Sequence, residues 1–181
     1  NFLALEPARR VVGLDLSDTS LNKAAQLRDK LGIGNLTLVK RSIFDLTFEN
    51  TGTFQYTFCN GVLHHTRDTY EAFLSVLRVV PARGFVIVGY YNPIARIPLN
   101  LVQRRIRSGR NYSLEEKRAY MDKLFTIEAF DDQQIDSWFA DQFLHPHETT
   151  VSVSQALKWF RQNGIEYTSS FPPIEIGKKM R

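Results

Sequence analysis

An aspartate ends the first strand-like run of the chain and stands directly before a helical pattern. The run covers residues 10–14, and Asp15 follows it. A carboxylate at the carboxyl end of a strand can accept charge-assisted hydrogen bonds from two vicinal hydroxyl groups, such as those of a ribose. The alternative is that Asp15 caps the next helix, but Ser17 and Asp18 are available as caps. We therefore favour ribose binding for Asp15.

Two later strand-like runs also end in polar or small residues. Ser42 to Asp45 follow the second run, and Asn60-Gly61 follow the third. In open parallel sheets, ligands bind beyond the carboxyl ends of the strands, so these residues are expected near the same site as Asp15. A plain role in turns stays open for Asp45 and for Asn60-Gly61, because their residue types favour turns.

The elements that must position these residues alternate between strand and helix. We predict strands at 10–16, 36–39, 54–59 and 85–88, the last of them central and buried on both faces. The predicted helices between them begin at Ser17 or Asp18 and at Asp68, and Pro81 ends the second. This order predicts an α/β fold with a doubly wound, mostly parallel sheet. The glycine-rich turn expected about 20 residues before Asp15 is absent, so we expect the first strand to lie outside this chain.

A helical insertion interrupts this alternation. Residues 92 to about 140 show helical patterns, with a capping box at Ser113 and a helix start at Asp131. A later helix begins at Ser152, and we predict a further strand at 165–168. The predicted organisation has three parts: an α/β core at 1–91, a helical cap at 92–148, and a return to the core at 149–181.

The polar strand ends, taken in order, resemble class I S-adenosylmethionine-dependent methyltransferases. The segments that carry the resemblance are 11–17, 42–46, 58–65 and 84–92. The resemblance implies S-adenosylmethionine as cofactor and contacts to it at Asp15, Leu16, Ser42, Ile43, Asp45, Asn60, Gly61 and Val62.

The family pattern also implies a role for each strand end. Asp15 is expected to hold the ribose, and Leu16 to pack beside the adenine. Asp45 is expected to accept a hydrogen bond from the adenine amine, and Asn60 to serve the methionine part. Many relatives carry Gly-Asp where this chain has Arg41-Ser42. That departure gives Asp45 more weight than Ser42.

The resemblance implies methyl transfer, and the insertion suggests a small-molecule acceptor. Five aromatic residues suggest an apolar wall in the cap: Phe125, Phe130, Trp138, Phe139 and Phe143. The residues expected to bind the acceptor are Tyr90, Tyr91, Trp138 and His145. His65 is the candidate general base, which is necessary only if the acceptor must lose a proton.

Other functions stay open on the sequence alone. Asp15 would serve a nicotinamide cofactor of an NAD(P)-dependent oxidoreductase equally well. Five arginines and no acidic residue lie in 96–110, which would suit RNA, although pairing with the acidic segment 125–157 is the simpler interpretation. A non-catalytic partner subunit is a further alternative.

We predict no metal site, no membrane segment and a cytoplasmic location. His64 and His65, on an extended segment, would point to opposite sides, and neither they nor the other two histidines show a zinc-binding spacing. The single cysteine, Cys59, suits a reducing compartment, and no apolar run approaches the length of a membrane helix. Nucleic-acid binding is not expected from a net charge of +4. The sequence leaves the oligomeric state open.

Overall fold

The computed structural model describes residues 10–106, 111–123, 130–145 and 147–174. It divides the chain into two compact units, Asn1–Gly89 and Tyr90–Arg181. We call them the strand unit and the helical unit, and each is described by itself.

The strand unit alternates short parallel strands with helices. Its elements are β1 (Val11–Asp15), α1 (Asp18–Lys30), β2 (Leu36–Lys40), a 3₁₀ turn (Ile43–Asp45), α2 (Phe48–Thr51), β3 (Tyr56–Cys59), a second 3₁₀ turn (Leu63–His65), α3 (Thr69–Leu77) and β4 (Phe85–Val88). β1 pairs with β2 in parallel, and β3 pairs with β4 in parallel. The described strands thus form two parallel pairs, as expected of the predicted α/β class, and not one continuous hydrogen-bonded sheet.

Local sequence signals account for the helix ends in this unit. Ser17 caps α1 by accepting a hydrogen bond from the backbone N–H of Ser20, and Gly32 follows the helix with a φ of 64°. Asp68 caps α3 by accepting from two backbone N–H groups. The inner face of α3 places Ala72, Phe73 and Val76 in the interior. The predicted helix starts are therefore confirmed.

The helical unit contains four α-helices among its described residues and no strand. They are α4 (Ile97–Ile106), α5 (Leu114–Asp122), α6 (Asp132–Phe139), which continues into a π-helical turn (Ala140–Leu144), and α7 (Val153–Gln162). The predicted caps at Ser113, Asp131 and Ser152 are all present. The core of this unit consists of Leu99, Ile106, Met121, Ile135, Phe139 and Phe143.

Three predictions about strands and helices were wrong. Residues 165–168 form no strand; instead the backbone N–H of Ile165 donates to the carbonyl of Phe160 and closes the end of α7. Phe85 and Ile87 of β4 are 53% and 56% exposed, so β4 is not buried on both faces. Helix α3 ends at Leu77, before Pro81, because the chain already turns at residues 78–80. Among the described helices, none is long and apolar enough to cross a bilayer.

Candidate functional site

The carboxyl end of β1 presents the exposed carboxylate of Asp15. Its Oδ1 accepts a hydrogen bond from the backbone N–H of Ser17 at 2.8 Å, while Ser17 itself is the helix cap. Lys40 lies opposite Asp15 in the strand register, but its ammonium donates to Asp18 at 2.5 Å. Within the described part of the chain, Oδ2 of Asp15 accepts no hydrogen bond. This acid is therefore neither the cap of α1 nor the partner of the neighbouring lysine.

Leu16 lies beside Asp15 and is 63% exposed. An exposed apolar side chain next to an exposed carboxylate fits a ligand that joins a flat apolar ring to vicinal hydroxyl groups. The start of α1 does not require a leucine at position 16, because Ser17 already caps the helix. These two residues together fit a nucleoside.

The end of β2 is arranged by a 3₁₀ turn. The Ser42 hydroxyl accepts a hydrogen bond from the backbone N–H of Phe44 and so is used as a cap. Asp45 is exposed, and its described hydrogen bonds involve only its backbone: its carbonyl accepts from the side-chain amide of Asn50 at 2.7 Å, and its N–H donates to the carbonyl of Ser42 at 3.1 Å. Ile43 is half-buried between them. A ligand edge at this turn would meet the carboxylate of Asp45 more readily than the hydroxyl of Ser42.

The end of β3 brings Asn60 against a glycine that the sequence analysis did not single out. The backbone N–H of Gly89, which follows β4 directly, donates to the carbonyl of Cys59 at 3.1 Å. A Cβ placed on Gly89 would overlap Oδ1 of Asn60 and lie only 2.8 Å from its Cγ. Residue 89 must therefore be glycine if Asn60 is to keep this position. A glycine directly after a strand was the available signal.

The segment after Asn60 forms a compact turn. Gly61 has a φ of 76°, a left-handed conformation that glycine adopts without strain. Val62 is 46% exposed, and Leu63 is fully buried. The proposed cofactor contacts at Asn60, Gly61 and Val62 thus belong to one exposed turn.

The two adjacent histidines do not lie on an extended segment, so that expectation was wrong. They belong to the 3₁₀ turn Leu63–His65, which places their ring centroids 4.2 Å apart. His64 is buried, at 1% exposure, whereas His65 is half-buried. His65 is therefore the more accessible of the two, and its role as a general base stays a prediction. No cluster of three or more metal-ligating side chains occurs in the part of the chain that was searched, the described residues.

The four residues predicted to bind the acceptor all lie in the helical unit. Tyr90 packs edge-on against Trp159 with centroids 5.9 Å apart, and Trp138 packs edge-on against Phe130 at 5.0 Å while staying 41% exposed. Nδ1 of His145 lies 2.6 Å from the carbonyl oxygen of His147 and 3.3 Å from its backbone nitrogen. Phe125, which was predicted to belong to the same wall, lies outside the described residues.

Tyr91, the fourth of these residues, belongs to a group that we call the buried polar cluster. Its members are Tyr91, Arg96, Gln103, Gln142 and Glu148. Both oxygens of Glu148 accept from the guanidinium of Arg96, at 2.7 and 2.5 Å, and both side chains are 7% exposed. The guanidinium carbon lies 3.9 Å from the ring centroid of Tyr91. Sequence analysis missed this cluster, because its hydrogen bonds join residues up to 52 positions apart.

The buried polar cluster contains one of the five arginines of the basic segment 96–110. Arg96 was counted among the five arginines that would suit RNA, but it is buried and paired with Glu148. Lys117–Asp136 and Arg118–Asp132 are further ion pairs between cations and the acidic segment. Pairing between the basic segment 96–110 and the acidic segment is thus confirmed at Arg96, which is not available to a phosphate.

Burial shifts the pKa values of two groups. Desolvation raises the pKa of the Cys59 thiol to about 11. Desolvation also raises the pKa of the Tyr91 hydroxyl, with the hydrogen bond from Gln142 acting in the opposite direction. Both groups therefore stay protonated at neutral pH, and neither acts as a nucleophilic anion there.

A family profile described as a methyltransferase domain matches residues 2–124 of the chain. The chain belongs to this family. A curated relative, an uncharacterized protein of Synechococcus sp., is 21% identical over 185 residues, which cover 92% of this chain and 44% of the relative. The family match favours the methyltransferase hypothesis over an NAD(P)-dependent oxidoreductase.

Solved structures of low sequence identity share the fold. PKMT2 from Rickettsia typhi has a TM-score of 0.70 and 18% identity, over 90% of this chain and 35% of that protein. The same protein in complex with AdoHcy gives a TM-score of 0.68 and 19% identity, again over 90% and 35% of the two chains. A structure from Bacillus halodurans, described as that of a putative methyltransferase, has a TM-score of 0.53 and 16% identity, over 86% of this chain and 53% of that protein. The chain thus spans less than half the length of the Synechococcus relative and of PKMT2.

Proposed function

We propose that this chain binds S-adenosylmethionine and takes part in transfer of its methyl group to an acceptor. The observation that carries the proposal is the exposed Asp15 carboxylate at the end of β1, in a chain of the methyltransferase-domain family. Because Ser17 caps α1 and Asp18 holds Lys40, Asp15 keeps a carboxylate oxygen for a ligand.

The residues of three strand ends would hold the cofactor. Asp15 would accept hydrogen bonds from the ribose hydroxyl groups, and the exposed side chain of Leu16 would pack on the adenine. Asp45 would accept from the adenine amine, with Ser42 and Ile43 beside it. The AdoHcy complex of PKMT2, which has the same fold, supports this choice of ligand.

The turn after β3 would hold the methionine part of the cofactor. Asn60, Gly61 and Val62 are exposed on one turn, and the contact with Gly89 fixes where Asn60 lies. S-adenosylmethionine, when bound, supplies a methyl group on a positively charged sulfur, from which an acceptor lone pair can displace it. The task of the protein is to orient the acceptor and to exclude water.

The acceptor is proposed to be a small molecule that meets residues of the helical unit. Tyr90, Tyr91, Trp138 and His145 are the residues proposed to bind it, and His65 is the proposed base where the acceptor must lose a proton. The partly exposed Trp138 and Leu144, at 41% and 49%, support an apolar ligand. The three-part organisation at 1–91, 92–148 and 149–181 and the cytoplasmic location stay predictions.

Calorimetry of the full chain with S-adenosylmethionine and S-adenosylhomocysteine tests the proposal. Asp15→Asn keeps an oxygen for the Ser17 N–H but loses the charge, so it should weaken binding by about 10- to 100-fold, since a charge-assisted hydrogen bond contributes about 1.5–3 kcal/mol. The matched control is Asp29→Asn, which alters another exposed acid of the strand unit and should leave the affinity within about twofold.

Each result has one interpretation. No heat with either ligand in the wild-type chain would contradict cofactor binding altogether. An unchanged affinity in Asp15→Asn, with binding intact in the wild type, would contradict only the ribose assignment. A loss in Asp29→Asn as large as that in Asp15→Asn would show that general surface charge, and not the position of Asp15, controls binding.

A further inference from the structure

The backbone of Asp45 is held on both sides by nearby residues of the strand unit. Its N–H donates to the carbonyl of Ser42 at 3.1 Å, and its carbonyl accepts from Nδ2 of Asn50 at 2.7 Å. Leu46, the next residue, is buried and anchors the end of the 3₁₀ turn. These contacts fix the two peptide groups that flank the Cα of Asp45, so they fix the direction in which its exposed side chain leaves the turn.

The capping box of α2 sets the orientation of the Asn50 amide. Oδ1 of Asn50 accepts from the backbone N–H of Thr47 at 3.1 Å, and the backbone N–H of Asn50 donates to Oγ1 of Thr47 at 3.3 Å. Because the amide oxygen faces a donor, the amide nitrogen is left to donate to the carbonyl of Asp45. A flipped amide would place oxygen against oxygen at Asp45 and N–H against N–H at Thr47.

The guanidinium of Arg41 holds the short helix that carries Asn50. Nη1 of Arg41 donates to the carbonyl of Asn50 at 2.9 Å and to Oγ1 of Thr51 at 3.1 Å. Oγ1 of Thr51 in turn donates to Oδ1 of Asn50 at 2.5 Å. Arg41 precedes the 3₁₀ turn and Asn50 follows it, so their contact closes a loop of the chain around Asp45. Asn50 therefore cannot move away from Asp45 without breaking several hydrogen bonds.

We propose that Asn50, anchored by Arg41, is a positioning residue that directs the carboxylate of Asp45 toward the exocyclic amine of the adenine. This inference rests on the proposed function, which supplies the adenine as the ligand. An ionised carboxylate accepts hydrogen bonds and donates none, so a correctly placed Asp45 favours a purine ring with an N–H donor over a ring without one. Asn50 and Arg41 thereby contribute to the specificity of the site without contacting the ligand.

Calorimetry of the full chain with two ligands tests the inference. One ligand is S-adenosylhomocysteine, and the other is its 6-deamino analogue, in which a hydrogen atom replaces the adenine amine. The wild-type chain should bind S-adenosylhomocysteine about tenfold or more tightly than the analogue, because the analogue offers no donor to the carboxylate. The ratio of the two affinities is the quantity to compare, because a general loss of structure weakens both ligands alike.

Two substitutions of Asn50 remove the donor to the carbonyl of Asp45 by different routes. Asn50→Asp keeps an oxygen for the N–H of Thr47, whereas Asn50→Ala removes the amide without adding a charge. In both, the affinity ratio should fall by at least about threefold, because hydrogen bonds weaken steeply when they are misaligned. Arg41→Met, which removes the anchor of α2, should lower the ratio as well. The control Gln26→Glu adds a negative charge at an exposed position of α1 and should keep the wild-type ratio.

A double variant separates positioning of Asp45 from any other effect of Asn50. Asp45→Ala should lose the preference for the amine by itself, and Asn50→Ala added to it should change the ratio no further. A further change in the double variant would show that Asn50 does not act through Asp45, and the inference would be wrong. An unchanged ratio in both single variants of Asn50 would also overturn it, and an unchanged ratio in Arg41→Met would overturn the anchoring by Arg41.

The wild-type chain keeps this inference apart from the proposed function. Equal affinities for the two ligands would overturn the inference, while binding of the cofactor would still stand. No heat with either ligand would overturn the proposed function and the inference together.

Discussion

The strand ends and the buried polar cluster use the same kinds of side chain in opposite ways. At the strand ends, Asp15 and Asp45 are exposed and the hydrogen bonds of the acids and caps reach only two to five residues along the chain. In the cluster, Arg96 and Glu148 are buried and their bonds join positions 46 and 52 residues apart. Polar groups held by short local contacts keep capacity for a ligand, whereas those of the cluster are used inside the protein.

The difference has an energetic basis. An exposed carboxylate is solvated by water and exchanges that water for a ligand at little cost. A buried carboxylate has lost its water and depends on its partner, so removal of the partner is costly. We therefore expect substitutions at the strand ends to change ligand affinity and substitutions in the cluster to change stability.

The largest effect is expected when one member of the buried ion pair is removed. Glu148→Leu leaves the guanidinium of Arg96 buried without its counter-charge and should cost about 3–5 kcal/mol of unfolding free energy. For a chain of this size that corresponds to a decrease in Tm of roughly 6–20 °C, measured by circular dichroism. Adding Arg96→Met should recover most of the loss.

An exposed pair of the same unit provides the comparison. Lys117→Met breaks the Lys117–Asp136 contact of 2.9 Å, in which Asp136 is 56% exposed. The expected cost is below about 1 kcal/mol, because solvent screens such a pair. Equal losses of unfolding free energy in Glu148→Leu and Lys117→Met would show that the buried ion pair does not differ in energy from the exposed one.

Cys59 and Asn60 show how sharply burial changes at a strand end. Cys59 is buried and its thiol has a pKa of about 11, against an ordinary value of 9.0. Between pH 9 and 11 the unfolded state loses this proton while the folded state keeps it, so stability falls as pH rises through that range. A difference of two pKa units corresponds to about 3 kcal/mol of unfolding free energy, and this contribution is fully present below pH 9.

Urea denaturation between pH 8 and 11 measures this loss. Other groups titrate in the same range, so the quantity to compare is the difference between the wild type and Cys59→Ala. Over this pH range, the unfolding free energy of Cys59→Ala should fall by about 3 kcal/mol less than that of the wild type. Parallel curves for the two proteins would show that Cys59 is not desolvated at the end of β3.

Gly89→Ala is expected to change stability less than Glu148→Leu does. The new methyl group would overlap the side chain of Asn60, which must rotate away at a cost of about 1–2 kcal/mol. The affinity for S-adenosylhomocysteine should fall as well, because Asn60 leaves its position. Asn60→Ala added to Gly89→Ala should recover the stability but not the affinity. Full affinity in Gly89→Ala would show that the position of Asn60 does not matter for binding.

Sequence patterns predicted the parts of the fold that depend on neighbouring residues. The caps at Ser17, Asp68, Ser113, Asp131 and Ser152 all form, because a cap needs only a side-chain oxygen and a backbone N–H two or three residues later. The alternation of strands and helices likewise predicted the α/β fold that the solved structures share. The strand at 165–168 was predicted from residue types alone, and a contact with the end of α7 took its place.

The sequence by itself determined the fold class, the helix starts and the order of polar residues at the strand ends, since each depends on local backbone chemistry. Only the tertiary structure decided that Arg96 belongs to a buried ion pair and not to a basic surface. It also decided that Gly89 must accommodate Asn60. Both depend on contacts between residues far apart in the chain, and the close packing that produces such contacts leaves no periodic pattern in the sequence.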